Sequence, residues 1–116
     1  MRVAGMGFRR AATLHSLYDA LTRAGGCDAL ATPHDKAASP AIRALAAQLG
    51  VPLIPVGVAG IQTPTQSPRV IQLYHTGSVA EAAALSALAP GARIVMPRLI
   101  SQDGMATAAI AEGDPL

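Results

Sequence analysis

RVAGMG at residues 2–7 is a short apolar run that closes on glycines, and its link to the next segment decides the fold. Within residues 12–26, Leu14, Leu17, Tyr18, Leu21 and Ala24 recur at helical spacing, and Gly25 and Gly26 supply a stop. A strand feeding directly into an amphipathic helix is the first half of an alternating α/β unit. The same alternation continues outward. Residues 29–32 form a second short apolar run. Ser39 and Pro40 then read as an N-cap and first helical position, with Ile42, Leu45, Ala46 and Leu49 as the buried face and Gly50 as the end. Residues 52–56 read as a third strand.

The next segment, GVAGIQTPTQSPR at residues 57–69, is too long and too rich in glycine and proline for a plain connector. Residues 70–74 read either as a short strand or as a helical turn. Ser78 and Glu81 have capping-box spacing, so a helix is expected from there to about Ala89, ended by Pro90 and Gly91. Residues 93–97 read as a strand, 101–104 as a turn and 105–111 as the last strand of a hairpin. The tail from Glu112 looks loose. The expected fold is a single-domain three-layer α/β sandwich, with a mostly parallel sheet and a C-terminal β-hairpin.

At 116 residues the chain suits one domain. It is 51% hydrophobic, yet it has no Trp, one Phe and two Tyr, so its core must be aliphatic and largely alanine. Small side chains let helices lie close to a sheet but bury little area each, at about 25 cal/mol per Å². The expected stability is moderate, and homo-oligomer formation would raise it. Cys27 is the only cysteine, so there is no intrachain disulfide and no cysteine-based metal site. A first strand at Arg2 leaves no room for a signal peptide, and no apolar run nears the ~20 residues of a membrane span. A cytoplasmic location is expected, without a membrane association.

The net charge is only +2, but Arg9, Arg10, Lys36, Arg69 and Arg98 all fall near ends of strands or loops. A nucleic-acid surface needs a denser basic stripe with aromatic stacking, so a small anion is the better match. Ligands of alternating α/β folds bind at the carboxyl ends of the strands, which points to residues 5–10, 32–36 and 57–69. Gly5 and Gly7 make a tight turn into a helix, and Arg9 and Arg10 would add two guanidiniums to that helix start. The third glycine of a dinucleotide fingerprint is absent. Thr32 and Lys36 flank His34 and Asp35. Lys36 is the anion partner there, and His34 and Asp35 are the weaker catalytic candidates. Arg69 and Ser78 complete the ligand-binding set. Glu81 is a third weak catalytic candidate, since capping already explains it. His15 falls on the polar side of the first helix. No histidine spacing suggests a metal, no cofactor is called for, and no nucleophile elbow surrounds a serine.

Taken in order, GMGFRR at 5–10, ATPHDKA at 31–37, Thr63-Pro64 with Ser67-Pro68, GSVAEAAA at 77–84, and the run from Gly91 through Arg93, Pro97 and Arg98 to TAAIA at 107–111 resemble CobE and the C-terminal domain of CbiG. The resemblance spans nearly the whole chain, and SVAEAAAL is its most specific piece. This chain has Phe8 where the family often has Cys, Ala11 where it has Gly, and Arg98 where Lys is common. Phe8 argues against thiol chemistry at that place. The resemblance implies a role in cobalamin (vitamin B12) biosynthesis. CbiG proteins open a lactone on ring A of a cobalt-precorrin and release a two-carbon fragment, and they carry N-terminal regions not present in this sequence. A unit of this length is similar to CobE. The resemblance therefore suggests a precorrin-type tetrapyrrole as ligand, with an enzyme acting on the ring-A lactone as the alternative, and other corrin-pathway enzymes as partners.

Overall fold

A computed structural model describes all residues, 1–116. The first strand, β1 (Arg2–Phe8), lies at the centre of a five-stranded sheet. Helix α1 (Leu14–Ala24) comes next, then β2 (Ala29–Pro33), α2 (Pro40–Leu49) and β3 (Leu53–Val56). Two further helices, α3 (Pro68–Tyr74) and α4 (Val79–Ser86), precede the hairpin of β4 (Arg93–Ile100) and β5 (Ala106–Glu112). The 70–74 segment is thus helical, and its Pro68 occupies the first turn, where the missing N–H is not needed.

The sheet order is β3-β2-β1-β5-β4, and this corrects the mostly parallel sheet expected from sequence. The β1–β2 and β2–β3 pairs are parallel, whereas β1–β5 and β5–β4 are antiparallel. The sheet is mixed because β5 turns back from β4 and inserts beside β1. Every strand except β5 therefore points the same way, so the carboxyl ends of β1, β2 and β4 share one edge of the molecule.

Side chains alternate along the strands, and each face carries its own apolar cluster. Ala4, Met6, Leu30 and Ile110 pack with Leu17, Leu21, Ile42 and Leu45 of α1 and α2. Val3, Ala29, Ala31 and Ala111 pack with Ala82, Ala83 and Ala84 of α4 on the other face. The second contact is very close. A Cβ placed on Gly5 would come within 1.8 Å of the Ala80 carbonyl oxygen, so Gly5 serves helix-to-sheet packing. The chain forms one α/β domain, and none of its helices is long and apolar enough to cross a membrane.

Several boundaries differ from the periodicity. Thr13, rather than Ala12, opens α1: its side chain accepts from the Ser16 N–H, and the Ser16 Oγ accepts from the Thr13 N–H. The tail is not loose. Gly113 N donates to Met1 O, Ala89 N donates to Asp114 O, and Leu88 bridges Pro115. At Ser78 the box is half made. The hydroxyl accepts from the Glu81 N–H at 3.2 Å, but the Glu81 carboxylate does not reach back to Ser78.

Candidate functional site

At the carboxyl ends of β1 and β4 the molecule opens into a cleft of about 750 Å³. Gly7 to Ala11 form one side, with Lys36 entering from the loop after β2. Ser67, Arg69, Val70, Leu73 and Tyr74 of the α3 region form the opposite side. Arg98, Ile100 and the 104–107 end of the hairpin close it. That volume lies inside the ~300–1,000 Å³ typical of small-molecule sites.

Charge is what distinguishes the cleft. Arg9, Arg10, Lys36, Arg69 and Arg98 all line it, and no carboxylate does. The chain's three ion pairs join Arg2 and Arg93 to Glu112 and Arg23 to Asp19, so none of the five cleft cations has an internal partner. Lys36 is held instead by an aromatic face, its Nζ lying 5.4 Å from the centroid of the Phe8 ring. Apolar groups are interleaved with the charges. Leu73 and Ile100 are large hydrophobic side chains left 61% and 49% exposed, both on the cleft wall. The arrangement suits a ligand that is apolar in its body and anionic around its edge.

The structure sorts the residues expected from sequence into two groups. Gly7, Arg9, Arg10, Lys36 and Arg69 come together in the cleft. Gly5, Thr32 and Ser78 do not line it. Gly5 is covered by α4, Thr32 is buried and its hydroxyl donates to Met6 O at 2.9 Å, and Ser78 is buried as the cap of α4. Arg9 and Arg10 also stand apart from a free helix start, because Thr13 and Ser16 already cap α1.

The three weaker catalytic candidates are placed differently from one another. His34 is exposed and outside the cleft lining. Asp35 accepts a hydrogen bond from the Tyr74 hydroxyl at 3.3 Å, joining the β2–α2 loop to α3 at the rim. Burial, helped by the Asp35 charge, pushes the Tyr74 phenol above its usual pKa. Glu81 is fully buried, and its carboxylate accepts from Thr65 N, Thr65 Oγ1 and Arg98 N at 2.7–2.8 Å. Capping therefore accounts for the Glu81 backbone but not for its side chain.

Sequence reasoning left Arg98, Phe8, Tyr74 and the apolar lining outside the candidate set. Arg98 carried a signal in its position beside Pro97, because a proline inside a strand marks an edge or a bulge. In α3, Val70, Leu73 and Tyr74 stand at i, i+3 and i+4 and so share one apolar face, but the helix is only seven residues long and none of its residues is buried, so the segment read equally well as a strand.

A second hollow of about 350 Å³ lies at the hairpin tip, lined by His15, Ser16, Asp19, Gln102 and Asp103. Asp103 accepts from Ser101 Oγ, Ser16 Oγ and Met105 N, and these bonds bring its carboxyl down to about 2. Asp19 accepts from Gln102 N at 2.7 Å, which lowers its carboxyl as well. These bonds fasten the hairpin to α1.

The family profile described as cobalamin synthesis G C-terminus matches residues 2–111. No curated protein gives a significant sequence match. The crystal structure of CobE, described as a protein from the cobalamin (vitamin B12) biosynthetic pathway, is 28% identical with a TM-score of 0.80, covering 96% of this chain and 89% of that one. The cobalamin biosynthesis protein chiG from Agrobacterium tumefaciens str. C58 is 32% identical with a TM-score of 0.73, covering 97% of this chain and 98% of that one.

Proposed function

The chain belongs to the cobalamin synthesis G C-terminal family and acts in cobalamin biosynthesis, and we propose that its basic cleft binds a precorrin-type tetrapyrrole intermediate by the carboxylates around the ring. The observation that carries this reading is the convergence of Arg9, Arg10, Lys36, Arg69 and Arg98, none of them in an internal ion pair, on one cleft with apolar walls. Such intermediates carry acetate and propionate groups around an apolar macrocycle. Guanidiniums pair with carboxylates in a bidentate fashion, while Phe8, Val70, Leu73 and Ile100 offer surface to the ring.

Binding without turnover is favoured over lactone chemistry. An acid–base pair must face the reacting bond, and the cleft lining holds neither a carboxylate nor an imidazole. Glu81 is turned inward with its lone pairs in use, and Asp35 is engaged by Tyr74 at the rim. A carrier that protects the intermediate and hands it to a pathway enzyme fits the site.

An absorbance titration with corrin-ring intermediates at low and high salt tests the reading. The expected result is a spectral shift at micromolar ligand that weakens as salt rises, with the ligand recovered unchanged. Absence of binding to every intermediate overturns the ligand assignment, and a changed product overturns the carrier role.

A further inference from the structure

Glu81 is the only acidic residue that is fully buried, and it has no cationic partner. A buried carboxylate without a counter-charge persists only where hydrogen-bond donors surround it. Here there are three: the Thr65 N–H on Oε1, and the Thr65 hydroxyl and the Arg98 N–H on Oε2. Its place in the first turn of α4 adds the favourable end of the helix dipole.

The donors come from the two walls of the cleft. Thr65 belongs to a turn in which Thr63 Oγ1 donates to Thr65 O and Gln66 Nε2 donates to Thr63 O. The Ser67 N–H then donates to Gly77 O, and Ser67 holds the N-cap position of α3, without a side-chain bond, ahead of Arg69. On the other side, the register of β4 slips between Met96 and Leu99, which pair with Ile110 and Ala108 of β5. One extra residue is thus accommodated around Pro97 and Arg98, a bulge of the kind that re-aims side chains beside sites. The bulge takes the Arg98 N–H out of the ladder, and Glu81 receives it.

We infer that Glu81 is a positioning residue of the cleft, its buried carboxylate fixing from below both the turn that launches α3 with Arg69 and the β4 bulge that presents Arg98. The inference rests on the ligand reading given under the proposed function. It assigns to Glu81 neither proton transfer nor ligand contact. A glutamine has the same size but cannot satisfy both backbone N–H groups, because its amide nitrogen must face one of them.

The test is an absorbance titration with uroporphyrin III, a polycarboxylate tetrapyrrole, on the full chain. E81Q is expected to weaken binding about tenfold, the usual scale for misplacing a charge-assisted contact. On the Arg69→Ala/Arg98→Ala background the same change is expected to cost less than about twofold, because the groups it positions are already gone. Equal losses on both backgrounds, or wild-type affinity in E81Q, overturn the inference. Should E81Q fail to fold, Thr65→Val removes one of the three bonds, and a loss that vanishes on the double background supports the same conclusion. No loss with Thr65→Val overturns it. If the wild-type chain does not bind this probe, amide hydrogen exchange decides the positioning separately, while the ligand reading stands or falls on the corrin-ring intermediates. Faster exchange at Thr65 and Arg98 in E81Q, with Met6 and Ile110 unchanged, upholds it, and unchanged protection at all four overturns it.

Discussion

The two ends of the sheet treat arginine in opposite ways. At the end where β1 and β4 begin, Arg2 and Arg93 both reach Glu112, at 2.6 and 3.6 Å. At the other end, Arg9, Arg10, Arg69 and Arg98 gather with Lys36 around one cleft and meet no carboxylate. The first group closes the sheet where the chain's ends meet. The second gathers like charges with no internal counter-charge, a cost in mutual repulsion that the proposed anionic ligand would relieve. Identical side chains thus separate into a paired set and an unpaired set by whether the fold supplies their counter-charge, and the proposed function assigns the unpaired set to a ligand.

The sharpest way to break that division is to remove the unpaired charges. Arg9→Ala combined with Arg10→Ala is expected to lower tetrapyrrole affinity about a hundredfold, taking roughly 1.4 kcal/mol for each charged contact. Thermal stability is expected to stay level or to rise, since no internal partner is lost. A titration alongside a melting curve reads both quantities. Undiminished affinity would place the ligand elsewhere, and a large fall in melting temperature would give these arginines a structural role.

Less drastic is to supply an anion. A ligand that binds only the folded chain stabilises it by about 2.7 kcal/mol at a hundred times its Kd. A polycarboxylate such as citrate, which offers fewer carboxylates and no ring, is expected to bind more weakly and to raise the melting temperature by a smaller amount. That rise should shrink in the Arg9→Ala/Arg10→Ala protein and persist when Arg43, the one other unpaired arginine, is replaced by Ala. An equal rise in all three proteins would signify a general salt effect.

The first strand, the helix starts and the grouping of basic residues near strand ends were legible in the sequence because they arose from local pattern. The RVAGMG strand, the Ser39–Pro40 helix start and the placement of Arg9, Arg10, Lys36 and Arg69 all depend on neighbours a few residues apart. Where the outcome depended on distant segments, local pattern misled. Ser78 and Glu81 have capping-box spacing, and the backbone bond of that box does form. The carboxylate nevertheless goes to Thr65 and Arg98, sixteen and seventeen residues away. Gly5 looked like part of an anion loop because its need to be glycine is imposed by Ala80, which only the packing of α4 reveals. The expected mostly parallel sheet gave way to a mixed one for the same reason. Nothing near residues 106–112 says that the last strand will choose β1 as its second neighbour.

At the paired end the expected effects are smaller. Glu112→Gln removes the partner of both Arg2 and Arg93, whose side chains are 42% and 76% exposed. Solvent screens both pairs, so stability should fall by no more than about 1 kcal/mol, and less at high salt. Tetrapyrrole affinity should not change. A loss of affinity in this variant would mean that the two ends communicate, and would weaken the separation of paired from unpaired arginines.

The smallest effect concerns the hairpin tip, which holds the 104–107 side of the cleft in place. Bonds from Ser101, Ser16 and Met105 bring the Asp103 carboxyl to about 2, well below its ordinary range, so folding favours its ionised form. The stabilisation is therefore complete above the pKa of the unfolded chain, near 3.8, and is lost as pH falls through about 2. Asp19, lowered chiefly by the Gln102 N–H, shifts in the same direction. Asp103 is exposed and Asp19 only half-buried, so the change should be slight and confined to the tip. In Asp103→Asn the amide still accepts some of these bonds but no longer titrates. Comparing amide exchange at Met105 between pH 4.5 and 2.5 is then informative, after correction for the intrinsic rate. The wild type should lose protection across that window, and the variant should start lower and change less. An identical pH response in both would assign the acid sensitivity to Asp19 and leave Asp103 as a fastening whose charge is incidental.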